Sequence, residues 1–230
     1  MLFKSSIFAK ASGSLNGMVF SHNRFGMYTR NRSTPVNPSS QRQQDVRSAF
    51  TSLVADWSEV LTQAQRDAWN LFANSILSIN KVGDPVNLTG QNHFVRSNTV
   101  LLQAGLPQVN DGPTTLSLPS VDPSMVVTAS EAAQELSIAF DEDLEWLDED
   151  NAGLAILMAS PKGVGSSYLG GAMRYSGVIL GDAVTPLTSP QVLAVPFVVT
   201  ENQKTQVQAR IIRADGRVSA PFWDTLQVSA

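Results

Sequence analysis

The clearest pattern along the chain is a change in the spacing of its apolar residues near residue 120. Before that point they recur at three- and four-residue steps. Val46, Ala49, Phe50, Leu53, Val54 and Trp57 make one stripe, with Gln43, Arg47, Ser48 and Asp56 off it, which predicts an amphipathic helix. Pro38-Ser39-Ser40 opens it, with a serine placed to accept from the first free backbone N–H groups. Leu61-Thr62-Gln63-Ala64-Gln65 breaks the stripe and carries a capping-box pattern, in which Thr62 caps a second helix and Gln65 reaches back. The second stripe is Trp69, Phe72, Ala73 and Ile76. The short connection predicts an antiparallel helical hairpin with Trp57 and Trp69 near the shared core. Lys81-Val82-Gly83-Asp84-Pro85 is turn chemistry. A third helix opens at Thr89-Gly90-Gln91-Asn92, carries Phe94, Val95, Asn98, Leu101 and Leu102, and ends at Gly105 and Pro107.

Residues 106–121 are rich in Pro, Thr and Ser and read as a linker. Beyond them the period becomes two. Leu136, Ile138 and Phe140 alternate with polar positions, as do Val207, Ala209 and Ile211. Met125–Thr128, Leu154–Met158, Met173–Leu180 and Val192–Val199 are further strand-like runs, and Asp215-Gly216 is a hairpin-turn signal. About seven short strands spaced by Gly and Pro turns predict an antiparallel sandwich of immunoglobulin or fibronectin type III character, with Pro196 and Pro221 on edge strands or at bulges. The expected fold class is therefore α+β with segregated parts. An extended basic arm spans 1–38, a helical hairpin unit 39–105, a linker 106–121 and the β-sandwich domain 122–230.

Composition narrows the function. At 230 residues with 43% hydrophobic and 16% charged residues, the chain can bury a sizeable core. The absence of cysteine excludes disulfides and thiolate metal sites. No apolar run approaches the roughly 18 residues of a membrane helix, and the N-terminal run is shorter than a signal-peptide core, so a soluble protein with a mature N-terminus is expected. Charge is uneven. Residues 1–50 hold seven Lys or Arg against Asp45 alone, a net +6, while the other 180 residues hold nine bases and nineteen acids, a net −10. Such a split suits a basic arm seeking an acidic surface.

That arm, Lys10 to Pro38, threads Phe20, Phe25 and Tyr28 among Arg24, Arg30 and Arg32, with too few apolar residues to offset its own ordering. Three readings stand. The arginines bridge to neighbouring subunits while the aromatics fill pockets there. Alternatively they sit on DNA phosphates with Tyr28 stacked on a base, which the acidic body opposes. In the third, the arm folds back as a hairpin with Asn23 to Gly26 as its turn and covers its own helical unit. The candidate partner-binding residues are Phe20, Arg24, Phe25, Tyr28, Arg30 and Arg32.

No catalytic constellation is present, so no enzyme, cofactor or metal is expected. The acidic run Asp141 to Asp150 holds seven carboxylates, but an EF-hand beginning at Asp141 would need a glycine where Trp146 stands and an acid where Ala152 stands. It reads as a solvated inter-strand loop, with receipt of another copy's basic arm as an alternative. His22 and His93, the two histidines, have no carboxylate cluster at metal-binding spacing; His22 reads as a contact residue. Gly163 to Tyr168 starts like a dinucleotide loop but lacks a βαβ setting. Trp57 and Trp69 read as core and Trp223 as core or domain interface. Trp146, set among acids, is either an exposed stacking platform or partly buried under its loop.

The run G-x-x-F-S-H-N-R-F-G-x-Y-x-R at Gly17 to Arg30, P-x-N-P at Pro35 to Pro38, L-T-x-A-Q-R-D-A-W at Leu61 to Trp69 and N-L-T-G-Q-N-x-F-V-R-S-N at Asn87 to Asn98 resembles a family of structural proteins encoded in tailed bacteriophages and prophages. The resemblance covers about the first 110 residues and carries no enzyme activity or mechanistic residue. It implies a structural role in the virion of a protein made in the host cytoplasm. The expected function is an auxiliary capsid protein, of the cement or decoration type. It would bridge capsid subunits, the major capsid protein first among its partners, and contact copies of itself in a homo-oligomer. A tail, neck or baseplate component is the alternative in the same setting. A carbohydrate-binding module using the loops around Trp146 and Tyr168 is the alternative from another class.

Overall fold

Alternation of the residues after Ala11 produces strands where an extended arm was expected. In the computed structural model, which describes residues 11–80 and 82–230, β1 (Gly13–Leu15), β2 (Met18–Asn23) and β3 (Gly26–Asn31) form an antiparallel meander. Lys10 and the rest of the N-terminal run, with Lys81, lie outside the described residues. Two turns make the meander possible. Asn16 takes a left-handed φ of 52° ahead of Gly17, and the Asn23 side chain accepts the Phe25 N–H at 2.9 Å before Gly26, whose φ is +120°. Asn23 and Gly26 pair directly, so the turn falls where the hairpin reading put it. The other half of that reading is not met: no residue from 11 to 38 is buried, so the meander is no lid over the helices.

Three helices follow, with a small hairpin between the second and third. Helix α1 (Gln41–Glu59) starts at Ser40, but the serine side chain caps nothing. Instead the Gln44 N–H bonds to the Ser40 carbonyl and the Gln44 side chain to that of Ser39. Only Leu53 of its stripe is fully covered; Val46 and Phe50 are 44% and 53% exposed. Helix α2 (Gln63–Ser75) has the expected reciprocal capping box between Thr62 and Gln65, and its stripe is buried from Trp69 to Ile76. Strands β4 (Leu77–Ile79) and β5 (Pro85–Asn87) flank a turn in which Asn80 Oδ1 accepts from the N–H groups of Val82 and Asp84. Helix α3 (Gly90–Gln103) is capped by Thr89 and stopped by Gly105, whose φ is +77°. Its first residue must be glycine, because a Cβ there would stand 2.7 Å from the backbone nitrogen of Asn70. This close approach brings Phe94 within 5.7 Å of both Trp57 and Trp69, ring centroid to ring centroid.

Residues 106–121 contain no helix or strand and are held at many points. Asn98 of α3 exchanges hydrogen bonds with Val109 in both directions, at 2.7 and 3.0 Å. Trp69 Nε1 donates to the Asn110 carbonyl at 3.0 Å, and Arg217 reaches the Ser117 carbonyl. Pro113 and Pro119 are buried. Composition suggested a linker; the geometry is that of a strap between the helices and the remaining strands.

Those strands are β6 (Val126–Ser130), β7 (Glu135–Ala139), β8 (Gly153–Ala159), β9 (Met173–Leu180), β10 (Gln191–Ala194), β11 (Lys204–Ile212) and β12 (Phe222–Gln227). They make two antiparallel sheets, β10-β7-β6 and β12-β11-β8-β9. Leu136 and Ile138 of one sheet share a core with Leu154, Ile156, Val207 and Ala209 of the other. The opposite face of the four-stranded sheet is covered by α3 and the strap, through Leu101 and Leu106 on Ala155 and Ile212. The fold is α+β, with helices on one face of an antiparallel sheet. Trp223 faces outward and is 49% exposed rather than core, because its neighbour Phe222 takes the inward position in β12.

Candidate interaction surface

Pairing decides which side chains of the meander act together. Phe20 stands opposite Thr29 and Gly13, on one face with Leu15, Met18, His22 and Met27. Tyr28 and Arg30 belong to the other face, with Val19 and Ser21, because successive side chains on a strand point to opposite sides. Arg24 and Phe25 form the tip, where the guanidinium lies 4.6 Å from the ring centroid. Phe25 is 70% exposed, and Arg24, Arg30 and Arg32 are exposed. The six candidate residues therefore do not form one patch: Phe20 lies on an apolar face, Tyr28 and Arg30 on a basic one, Arg24 and Phe25 at the tip joining the two, and Arg32 just past β3, its N–H bonded to the Gly17 carbonyl at 2.8 Å. The missed signal was Asn16-Gly17, a hairpin dipeptide that converts an arm into a small sheet.

The acidic run behaves differently from a freely solvated loop. Asp141, Glu142, Asp143, Glu145, Asp148 and Asp150 are exposed, but the segment is pinned. Arg213, from the end of β11, bonds to Glu145 at 2.5 Å and to Glu149. Glu142 accepts the Ser189 N–H at 2.6 Å and Asp150 that of Ala183 at 3.0 Å. The hydrogen bond and charge of Arg213 hold the Glu145 carboxyl below its ordinary range. Arg213 is more than sixty residues away, so no local pattern announced this pairing. Among the described residues no group of three His, Asp or Glu side chains is arranged to hold a metal ion.

Trp146 lies beneath this loop, 1% exposed, with its ring 5.5 Å from Phe140. The exposed-platform reading is thereby overturned, since burial against the core removes the stacking face. Tyr168 is 71% exposed, but Lys162 sits over its ring and bonds to its carbonyl. The Gly163–Tyr168 segment is a turn and loop between strands, outside any βαβ unit.

His93 is a buried titratable group, 3% exposed. It lies in α3 against the edge of Phe72, and its Nε2 has no hydrogen-bond partner. Burial first, and the Arg96 charge second, push its pKa down from 6.5. The unfolded chain then binds the proton more readily than the folded one. Stability is full above about pH 6.5 and is lost as pH falls toward the folded value. Glu145, also depressed, contributes stability above its ordinary range near 4.5 that is lost only at more acid pH. Urea midpoints taken at about pH 7.5 and 5.5 should therefore fall in the parent and stay nearly level in His93→Leu. An equal fall in both would exclude His93 as the source.

No family model matches the chain, and neither does a curated protein or a solved structure.

Proposed function

We propose that this chain is a structural component of a tailed-phage particle, an auxiliary capsid protein of the cement or decoration type. In this reading the N-terminal meander docks on neighbouring capsid subunits while the body contacts further copies. The observation that carries it is the N-terminal segment: the 28 residues from 11 to 38 hold no buried side chain, and the meander within them presents an apolar face, a basic face and an Arg24–Phe25 tip. Among the described residues the sheet buries no side chain, which leaves its surfaces available to a partner. The motif resemblance from Gly17 to Asn98 supports the phage setting, and the acidic body supports a protein surface over DNA. A docked meander and a second contact from the body would act together through tethering, so each can be weak. The burial of Trp146 weighs against the glycan-binding alternative.

The finer fold assignment belongs to the same proposal. Three strands in the order β10-β7-β6, facing four in the order β12-β11-β8-β9, support a sandwich of fibronectin type III type.

Removing residues 1–38 tests the function. Co-sedimentation with phage particles should fall to background, while the melting temperature of the remaining body stays within a few degrees, because the described part of the deleted segment contributes no buried residue. Retained co-sedimentation would sink the docking role. Labelling of particles with an antibody to the chain, viewed by electron microscopy, separates head from tail.

A further inference from the structure

A groove runs along the seam between the helices and the outer face of the four-stranded sheet. Its volume is about 720 Å³. Leu157, Gln208 and Arg210 make its floor; Arg96 and Gln103 of α3 and Phe50 of α1 make its walls. A second cavity of about 290 Å³, lined by Arg42, Val46 and Leu102, continues it and shares Thr99, Gln103 and Tyr175.

Two features of this groove do not serve the fold. First, Arg96 and Arg210 are both half-buried, and neither forms a salt bridge or side-chain hydrogen bond among the described residues. Like charges brought together out of water are unfavourable, and no acid among the described residues pairs with them. Burial, followed by the Arg96 charge, pulls the Arg210 pKa down. The charged groups facing them confirm the imbalance: Arg42 lies over the Tyr175 ring at 5.7 Å, and Asp45, the acid in the adjoining cavity, accepts from Gln41. Second, Val46 and Phe50 are periodic apolar positions of α1 that the molecule leaves half uncovered. Gln208, in the same groove as Phe50, is 7% exposed, and its amide makes no side-chain hydrogen bond among the described residues.

We infer that this groove is a docking site for an acidic, apolar peptide segment of a partner protein, whose carboxylates pair with Arg96 and Arg210 while its apolar side chains cover Val46 and Phe50. Charge complementarity selects the occupant. A carboxylate on an extended segment meets both guanidiniums, and the amides of Gln103 and Gln208 each offer a donor and an acceptor, as a peptide backbone requires. The site lies on the body and does not depend on the meander, so it stands or falls separately from the docking role proposed above.

The test uses the full chain and a random 12-residue peptide library displayed for selection. Enriched sequences should carry Asp or Glu among apolar residues. A synthetic peptide of the consensus should lose about tenfold or more in affinity on Arg96→Gln/Arg210→Gln, and should also weaken on Phe50→Ala. In the free protein, Arg96→Gln/Arg210→Gln should raise the melting temperature, since it relieves repulsion that only a partner relieves in the parent. Basic or neutral consensus peptides, no enrichment, tight binding unchanged in the double variant, or displacement by inorganic phosphate or oligo(dT) at equal affinity would each overturn the assignment. So would a fall in melting temperature in the double variant.

Discussion

Trp69→Ala should lower the melting temperature by about 10 °C, more than any exposed substitution in the helices. Trp69 is fully buried, packs edge-on against Phe72 and Phe94, and donates its indole N–H to Asn110 of the strap. It also reaches the β11–β12 turn, where a Cβ on Gly216 would stand 3.2 Å from its ring. One side chain therefore joins α2, α3, the strap and the sheets. Truncating a buried tryptophan costs about 3–5 kcal/mol, and in a domain of this size each kcal/mol shifts the midpoint by roughly 2–4 °C. Trp69→Phe separates the contributions. It keeps most of the packing and leaves the Asn110 carbonyl without its donor, so a smaller loss of about 1–2 kcal/mol is expected. Calorimetry on the three proteins checks the order. A Trp69→Ala protein that melts with the parent would mean that the helices and sheets do not share this contact.

Gly181→Ala should destabilise the chain by about 3 kcal/mol and release the acidic loop. The reason is steric and lies in the backbone. A Cβ at Gly181 would stand 2.1 Å from the Trp146 carbonyl oxygen and 2.8 Å from that of Glu149. Neither atom can rotate away. The Gly181 and Asp182 N–H groups bond to the carbonyls of Ala152 and Leu147, which fixes how close the two segments run. The clash can be relieved only by lifting the loop, which exposes Trp146 and Leu147 and draws Glu145 and Glu149 away from Arg213. A lower urea midpoint with red-shifted tryptophan emission is expected. An unchanged midpoint would show that the loop does not rest on Gly181.

Local signals carried the helices well. The Thr62 capping box, the Thr89 cap and the Gly105 stop act within a few residues, so each was readable from spacing alone. Ser40 failed as a side-chain cap because position allows a cap without compelling it. The seven strands of the C-terminal half were legible for the same reason as the caps: alternation, or a short apolar run, over four to nine residues is a local property. In the N-terminal segment the alternation was diluted by glycine, serine and asparagine, and it was composition that suggested an arm. Of the candidate residues there, Arg24, Phe25, Arg30 and Arg32 are exposed and Phe20 and Tyr28 half-buried, and their division between two faces required the β2–β3 register.

By itself the sequence determined the three helices, the approximate places of the C-terminal strands, the α+β class and the charge contrast between the N-terminal segment and the body, because each depends on neighbouring residues or on a sum over them. Only the tertiary structure decided which apolar positions are covered and which charges find partners. Val46 and Leu53 lie on one stripe, yet α3 meets only the C-terminal part of it. Glu145 and Arg96 are both charged residues with apolar neighbours in sequence. Folding brings Arg213 to the first and Arg210 to the second, so one charge is neutralised and the other is left beside its like. Burial and pairing are set by surfaces distant in sequence, and no period along the chain encodes which surfaces will meet.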